Sequence, residues 1–344
     1  MRNLKRALSL GLTAAMISGL MVMGSSAASY ADVTSEQNQE AIEVLKAVEI
    51  MVGDENGNFN PDAQVTRNEM AVIMSNLLDY KVSNYAGTAP FTDVPAWAEP
   101  YVAACWTHGI ISGYDAKTFG GSDSVTAAQA ALMMMKALGY FQYQSDFGDD
   151  WLVETTRQGS KIGLFDDVDT GATQALTRND VAQMVLNALE ANMVQYTGNG
   201  GTTIKGDGYE ITTGKATYED RTSTNNKYGK IDNESRDRND GKYVIQLGED
   251  LYDGDLEKDA DADDFGRPGT TWSYEGDEIG TYADNADDSM VINKTLSAQA
   301  ILVTDSDYFD YNRKDLASDG ELNLYINGDA AFENGDYDDL ANVT

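Results

Sequence analysis

The chain has 344 residues, about the length of two domains, and 42% of them are hydrophobic, so it can form a folded core. Its 57 acidic and 24 basic residues give a formal net charge of -33, which argues against nucleic-acid binding and against docking on an anionic lipid surface. One cysteine, Cys105, and one histidine, His108, exclude an intramolecular disulfide and most thiolate, multi-histidine and nucleophile–histidine chemistry.

Residues 1–31 have the pattern of a cleaved secretory signal peptide. A basic start with Arg2, Lys5 and Arg6 precedes an apolar run over 7–23 and then a stretch of small residues. A retained membrane anchor is the alternative, but the apolar run is shorter than the roughly 20 residues that a spanning helix needs. We therefore expect a secreted, cysteine-poor protein without a membrane segment after cleavage, located in a bacterial cell wall.

Three segments that follow share one helix-start signal. Thr66, Thr126 and Thr177, spaced by 60 and 51 residues, are each followed three positions later by a side chain that can complete a capping box. Apolar residues recur 4, 7, 8, 11 and 12 positions after each threonine, which places them on one face of a helix. The pattern predicts three amphipathic helices.

A shorter helix and a turn are predicted before each capped helix. The expected ranges of these first helices are 37–48, 98–107 and 151–160, and Glu49, Gly109 and Gly163 occupy the same position after them. One unit of helix, turn, loop and capped helix cannot bury its apolar stripe alone, so the three units should pack together.

These repeated segments resemble the S-layer homology (SLH) domain family, with three copies in tandem. The resemblance is based on residues 91–98 (FTDVPAWA), 109–113 (GIISG) and 53–62 (GDENGNFNPD), together with the threonine helix starts. It places the repeats at residues 32–85, 88–147 and 148–196.

The resemblance implies a fold, a ligand and a location. The expected fold is a multidomain α+β protein in which a helical, pseudo-threefold SLH triplet precedes a β-rich acidic domain. In this family the grooves between repeats bind a secondary cell-wall polysaccharide, often one with a pyruvate ketal. The implied function is non-covalent anchoring to the wall of a Gram-positive-type bacterium, with possible self-association in a surface layer.

Two arginines are the main candidates for glycan binding. Arg67 and Arg178 occupy the first helical position, where the helix dipole disfavours a cation. A guanidinium beside unsatisfied helix amides would form a site for a carboxylate. The alternative is that each arginine forms a salt bridge with a carboxylate of a neighbouring repeat. The residues alone favour this alternative, whereas the family resemblance favours glycan binding. The second repeat has Ala127 at this position, so we expect at most two competent grooves.

The tryptophans and turn residues near these helices complete the candidate glycan site. Trp97 and Trp151 could pack in the core or stack on sugars, and core packing is the favoured interpretation. The remaining candidates match the family's turn beside the groove, where the glycines also permit a tight turn. These turn residues are Gly109, Ser112 and Gly113 in the second repeat and Gly53 and Asp54 in the first.

The composition changes after residue 196 towards Asp, Asn, Gly, Thr and Tyr. Residues 197–208 are predicted to be a linker, and residues 209–344 a β-rich acidic domain. Strands are predicted at 209–213, 242–247, 270–274, 290–293, 299–303 and 321–326. Residues 266–280 weakly resemble a stretch of clostridial-type S-layer proteins.

A calcium site and an enzymatic activity are the remaining possibilities. Asp259, Asp261, Asp263 and Asp264 form an acidic cluster of the type that binds calcium, although a solvated loop is favoured over a metal site. No other cofactor is expected. Because no segment resembles a catalytic fold, we expect no enzyme. The alternative to glycan anchoring is a helical module for protein–protein assembly that binds no glycan.

Overall fold

The structure is a computed structural model that describes residues 30–34, 38–198, 202–205, 208–211, 217–231, 241–262, 267–283, 322–326 and 329–335. Most of the predicted signal peptide lies outside this set, as do Asp263, Asp264 and the strands predicted at 290–293 and 299–303. Among the described residues no helix has the length and apolar character needed to cross a bilayer.

Six helices form three units of similar design, one shorter and one capped helix in each. The first helices of the units are α1 (Gln39–Ala47), α3 (Glu99–Thr107) and α5 (Trp151–Lys161). The capped helices are α2 (Arg67–Leu77), α4 (Ala127–Leu138) and α6 (Arg178–Glu190). All six lie within two residues of their predicted positions.

The capped helices begin where the threonine signal predicts. The hydroxyls of Thr66, Thr126 and Thr177 each accept a hydrogen bond from the amide three residues later, and the side chain at that position bonds back to the threonine amide. Such boxes stabilise a helix start by about 1 kcal/mol. The predicted apolar stripes are buried, apart from the half-buried Leu78 and Ala137.

The first helices end in a left-handed residue that reverses the chain. Glu49, Gly109 and Gly163 all have positive φ, at 59°, 73° and 75°. The amide of the next residue returns to a carbonyl of the last helical turn, as Ile110 does to Cys105 over 2.9 Å. This is a Schellman-type end, which favours glycine because it has no Cβ to clash.

A ring of backbone hydrogen bonds joins the three units. Val65 N donates to Leu176 O (3.1 Å), Leu176 N to Val125 O (3.0 Å) and Val125 N to Val65 O (2.9 Å). Each residue directly precedes a capping threonine, and all three side chains are buried. Each capped helix also packs against the first helix of the following unit, in the pairs α2–α3, α4–α5 and α6–α1. The three units therefore close into a ring.

Apart from two short 3₁₀ helices, Val82–Asn84 and Gln144–Phe147, the remaining described elements are short antiparallel strands and one α-helix. They form the pairs β1 (Val194–Gly198) with β4 (Thr217–Asp220), β2 (Thr202–Lys205) with β3 (Gly208–Ile211), β5 (Thr222–Ser223) with β6 (Tyr243–Val244), and β10 (Leu322–Ile326) with β11 (Asp329–Gly335). Helix α7 (Leu247–Tyr252) follows β6 and begins at the last residue of the strand predicted at 242–247.

A three-stranded sheet packs against the first unit. It has the order β7 (Leu256–Ala262), β8 (Pro268–Tyr274) and β9 (Asp277–Ala283). Trp272 is fully buried and its Nε1 donates to Glu40 Oε1 of α1 over 2.6 Å. The Tyr282 hydroxyl donates to Glu43 Oε2 over 2.6 Å. The sheet and the helical ring thus share one hydrophobic core, although the sequence predicted a linker between them.

Candidate functional site

Arg67 spans the junction between the first and second units. It is the first residue of α2, and its side chain reaches the loop that follows α3. There Nε donates to Phe119 O over 3.2 Å and Nη2 to Ser112 O over 2.8 Å. The guanidinium carbon lies 4.6 Å from the ring centroid of Phe119 and 4.8 Å from that of Tyr114. Only 4% of Arg67 is exposed, so the group is held rigidly at the junction.

Arg178 forms the same arrangement between the third and first units. Its Nε donates to Phe59 O over 2.7 Å and its Nη2 to Val52 O over 2.9 Å, and the Phe59 ring centroid is 4.6 Å away. Phe59 and Val52 precede Phe119 and Ser112 by 60 residues, which is the spacing of the sequence repeat. Burial lowers the pKa of both guanidinium groups, but arginine stays protonated because its ordinary pKa is far above neutral.

The two aspartates near these arginines are bound to backbone amides instead. Asp93 accepts from Phe119 N and Gly120 N, both over 2.8 Å. Asp32 accepts from the amides of Phe59 and Asn60 over 2.9 and 2.7 Å. Among the described residues, no carboxylate makes a salt bridge with either arginine. Each guanidinium is therefore a partly dehydrated cation whose hydrogen-bond and ring contacts are neutral. Nearby carboxylates, Asp93 and Asp123 at Arg67 and Asp32 at Arg178, still favour the charged form from a distance.

The predicted free helix amides beside the arginines are absent, which corrects that part of the sequence interpretation. Arg67 N donates to Asp123 O and Asn68 N to Gly121 O, both over 2.9 Å. Arg178 N donates likewise to Ala63 O over 2.8 Å. The loop of the next unit thus supplies the acceptors, because ring closure brings its carbonyls onto the helix start. An anion at these junctions would have to bind the guanidinium rather than the helix end.

Asn68 distinguishes the two arginine junctions. Its side chain is buried, and its Oδ1 has no hydrogen-bond partner among the described residues. The equivalent Asn179 Oδ1 accepts from Asn38 N over 2.9 Å. The Arg67 junction therefore contains one unsatisfied acceptor beside its guanidinium.

The third junction has the same backbone contacts without a guanidinium. Ala127 N donates to Gln174 O over 3.2 Å and Ala128 N to Ala172 O over 2.9 Å. Ala127 is fully buried. The junction between the second and third units thus contains no cation at the first helical position.

Both tryptophans are exposed, so the favoured core interpretation was wrong. Trp97 is 56% exposed and Trp151 is 43% exposed. Trp97 precedes α3, whose buried residues begin at Val102, and Trp151 is the first residue of α5. Sugar stacking, the alternative role, remains a prediction.

Gly53 and Gly113 allow an aromatic ring to approach the backbone. A Cβ on Gly113 would collide with the Phe91 ring and lie 2.6 Å from Thr118 O. A Cβ on Gly53 would collide with the Tyr30 ring and lie 2.7 Å from Asn58 O. Their φ angles are not positive, unlike that of Gly109, so close approach is the reason for glycine here.

Ser112 and Asp54 lie at the same loop starts. Ser112 contributes its carbonyl to Arg67, a role that Val52 fills in the first unit. Asp54 Oδ1 accepts from Asn58 N and Asn56 N, both over 2.9 Å, and Oδ2 accepts from Asn60 Nδ2 over 3.1 Å. These bonds, that from Asn58 most of all, lower the pKa of Asp54 to about 2. The carboxylate therefore fixes the loop that carries the Arg178 acceptors. Whether any of these predicted site residues contacts a glycan stays a prediction.

The sequence interpretation missed the residues that hold the arginines. Phe59 and Phe119 were recognisable from the 60-residue repeat spacing, and Asp32 and Asp93 lie 61 residues apart, but none of the four was assigned a role at the arginines. Tyr30 was assigned to the signal peptide, yet it is buried, packs on Phe59 with ring centroids 5.6 Å apart and accepts from Gly53 N over 2.8 Å. Tyr30 therefore belongs to the folded first unit.

The acidic cluster is only partly described. Asp261 accepts from Thr271 Oγ1 over 2.9 Å, and Asp259 is its neighbour on β7. Among the described residues no group of three or more potential ligands could hold a metal ion. Because Asp263 and Asp264 lie outside these residues, the calcium hypothesis stays untested.

Comparison with known proteins identifies two of the three units. The S-layer homology domain family model matches residues 29–71 and 90–131. Each match covers the first helix of a unit, its loop and the start of its capped helix, including Arg67 and Ala127. These two segments of the chain are therefore similar to S-layer homology domains.

Proteins of several bacteria contain segments similar to parts of this chain. The chain is 33% identical over 129 residues to the surface-layer 125 kDa protein of Lysinibacillus sphaericus, a match covering 36% of this chain and 11% of that protein. It is 26% identical over 163 residues to the middle cell wall protein of Brevibacillus brevis, covering 46% of this chain and 15% of that protein. An amylopullulanase of Thermoanaerobacterium thermosulfurigenes is 28% identical over 149 residues, a match covering 39% of this chain and 8% of that protein. The chain thus spans only a small part of the length of these relatives.

Proposed function

We propose that the three units are S-layer homology repeats that anchor a secreted protein non-covalently to a Gram-positive-type cell wall. The ligand is an anionic secondary cell-wall polysaccharide, with a pyruvate ketal as the bound group. The second part of the chain contributes to surface display or a surface layer, and the protein is not an enzyme. The matches to S-layer homology repeats and to surface-layer proteins support the location.

The observation that best supports an anionic ligand is the state of the two arginines. A buried cation without a carboxylate partner is costly, because backbone carbonyls and aromatic rings replace only part of its hydration. The Arg67 contacts use Nε and Nη2, while Nη1 donates to no described residue. A ligand carboxylate bonded to Nη1 would add a direct charge-assisted hydrogen bond, which is stronger than a bond to a neutral acceptor.

The aromatic residues near the junctions support a sugar rather than a small inorganic anion. Tyr114 contacts the Arg67 guanidinium and is 57% exposed, so one face of its ring is available beside the cation. Trp97, just before α3, and Trp151, at the start of α5, add exposed ring surface in the second and third units. A pyranose presents apolar C–H faces that can stack on such rings.

A sacculus pull-down tests the proposal. The secreted chain is incubated with isolated sacculi and with sacculi stripped of secondary polymer. The double variant Arg67→Met plus Arg178→Met should bind intact sacculi at least about tenfold more weakly, a loss of about 1.4 kcal/mol. Arg221→Met is the matched control because Arg221 pairs with Asp250, outside the junctions. Melting curves of each variant establish that it is folded at the assay temperature.

Two results would contradict the proposal. Undiminished binding by the folded double variant would remove the arginines from the site. Equal binding of the wild-type chain to stripped sacculi would exclude the polysaccharide as ligand and favour the protein–protein assembly module.

A further inference from the structure

A cleft of about 300 Å³ lies between α5 and the ribbon formed by β1 and β4. One wall is a polar stripe of α5 at positions 154, 157, 158 and 161, a spacing that places all four side chains on one helix face. Tyr218 and Asp220, alternate residues of β4, form the opposite wall. Tyr140, Phe141 and Val194 also line it. None of the residues at the arginine junctions contributes.

The same helix face is filled in the first unit. Through the repeat, Glu154 and Arg157 of α5 correspond to Glu40 and Glu43 of α1, since Glu49 and Gly163 occupy equivalent helix ends. On α1 this face holds the ring of Trp272, whose Nε1 bonds to Glu40, and the ring of Tyr282, whose hydroxyl bonds to Glu43. This face of α1 therefore binds flat aromatic rings that carry a hydrogen-bond donor. On α5 the corresponding space is open.

The charges of the cleft favour a neutral ligand. Its walls contain three carboxylates, those of Asp146, Glu154 and Asp220, and two cations, Arg157 and Lys161. Glu154 Oε2 already bonds to Arg157 Nη2 over 2.6 Å, and Asp146 Oδ2 accepts from the Tyr218 hydroxyl over 2.6 Å. A ligand with a full charge of either sign would meet like charges here, whereas hydroxyl groups can bond both to the carboxylates and to the cations.

The aromatic side chains favour a ring with apolar faces. The rings of Tyr140 and Tyr218 have centroids 5.6 Å apart and are inclined at 56° to one another, so they form an angled surface. Tyr140 and Tyr218 are both half-buried, which leaves part of each ring accessible. A volume of about 300 Å³ is at the lower end for small-ligand sites.

We propose that this cleft binds a neutral pyranose unit of a glycan. The sugar's C–H face stacks on Tyr140 and Tyr218, its hydroxyls donate to the carboxylates, and the Gln158 amide and Lys161 ammonium donate to its oxygens. This is a second glycan site that goes beyond the proposed function, because it involves neither arginine and requires no acidic substituent on the sugar.

Saturation-transfer NMR on the secreted chain tests this site with four probes at about 10 mM, a concentration that detects millimolar affinity. The neutral probes are glucose and N-acetylglucosamine, and the charged probes are glucuronic acid and glucosamine. At least one neutral probe should show saturation transfer from the protein. Adding either charged probe should not reduce that transfer. Gln158→Trp, which fills the cleft, should abolish transfer, while Ser160→Ala on an exposed position of the same helix should not change it.

A milder variant and the arginine variant complete the design. Lys161→Met keeps the cleft open and removes one donor, so affinity should fall about three- to tenfold. The Arg67→Met plus Arg178→Met chain should retain neutral-sugar transfer even if it no longer binds sacculi, which separates the two sites. The proposal is overturned if no neutral probe shows transfer, if only charged probes do, or if folded Gln158→Trp and Lys161→Met both bind like the wild type.

Discussion

The junctions at Arg67 and Ala127 have the same backbone contacts and different chemistry. In both, the first two helix amides bond to carbonyls of the following unit, and the residue before the capping threonine belongs to the ring of Val65, Val125 and Leu176. The Ala127 junction forms these bonds without a guanidinium. Ring closure therefore does not need an arginine, and the buried cation at Arg67 has a role that the backbone frame alone does not explain.

The Arg178 junction shows that the arrangement at Arg67 is a repeated unit rather than an isolated contact. The ring under the guanidinium, the two carbonyl acceptors and the neighbouring aspartate all recur. Arg178 is half-buried rather than buried, but the recurrence of its partners indicates a second copy of one site. The comparison of two arginine junctions with one alanine junction can be tested in four ways.

The largest effect should come from the rings under the arginines. Phe59→Ala and Phe119→Ala each remove a fully buried ring, and each should lower the free energy of unfolding by about 3–5 kcal/mol in urea titrations. Tyr114→Ala is the control, because Tyr114 contacts the same guanidinium but is mostly exposed, and it should cost less than about 1 kcal/mol. Similar losses for Phe119→Ala and Tyr114→Ala would contradict the described packing.

Removing a single guanidinium should have an intermediate effect. Arg67→Met leaves Ser112 O and Phe119 O without their donor, and Arg178→Met does the same to Val52 O and Phe59 O. Each variant should lose about 1–3 kcal/mol of stability in the same titration. A variant more stable than the wild type would show that the arginines strain the fold and are not stabilised by these carbonyls.

The loops of the three junctions begin at equivalent residues with positive φ, Glu49, Gly109 and Gly163. Removing glycine at one of these positions and introducing it at another should therefore have opposite effects on stability. Gly109→Ala should lower stability by about 1–2 kcal/mol, because a Cβ at positive φ is strained even though nothing lies within 4 Å of it. Glu49→Gly relieves the same strain and should raise the melting temperature. If both substitutions changed stability in the same direction, side-chain contacts rather than backbone conformation would control these positions.

The smallest effect concerns the loop at the Arg178 junction, where the pKa of Asp54 is about 2 because its carboxylate accepts backbone hydrogen bonds. A lowered pKa in the folded state means that the stabilisation is present above the unfolded pKa near 4 and is lost as the pH falls towards 2. Wild type should therefore melt above Asp54→Asn at pH 5, and the two should converge near pH 2. A difference that stays constant from pH 5 to pH 2 would assign the effect to something other than this carboxylate.

Local patterns predicted the helical part well. The helix starts at Thr66, Thr126 and Thr177 depend on contacts within three residues, and the buried stripes depend on a period of 3.6 residues, so one stretch of chain contains all the required information. The arginine positions and their recurrence followed from the same repeat. The positions of several strands in the second part were also close, whereas helix α7 was missed because Leu247–Tyr252 is too short to show a period.

The sequence by itself therefore determined the three units, their caps and the two arginines, since these depend on near neighbours. Only the tertiary structure decided which groups fill the arginine junctions, that both tryptophans face solvent, and that Trp272 covers α1 from 232 residues away along the chain. The physical reason is that an amide, a guanidinium or a ring can bond to any suitable partner that the fold brings near. Which partner lies within bonding distance depends on how the three units close into a ring, and no local sequence pattern contains that information.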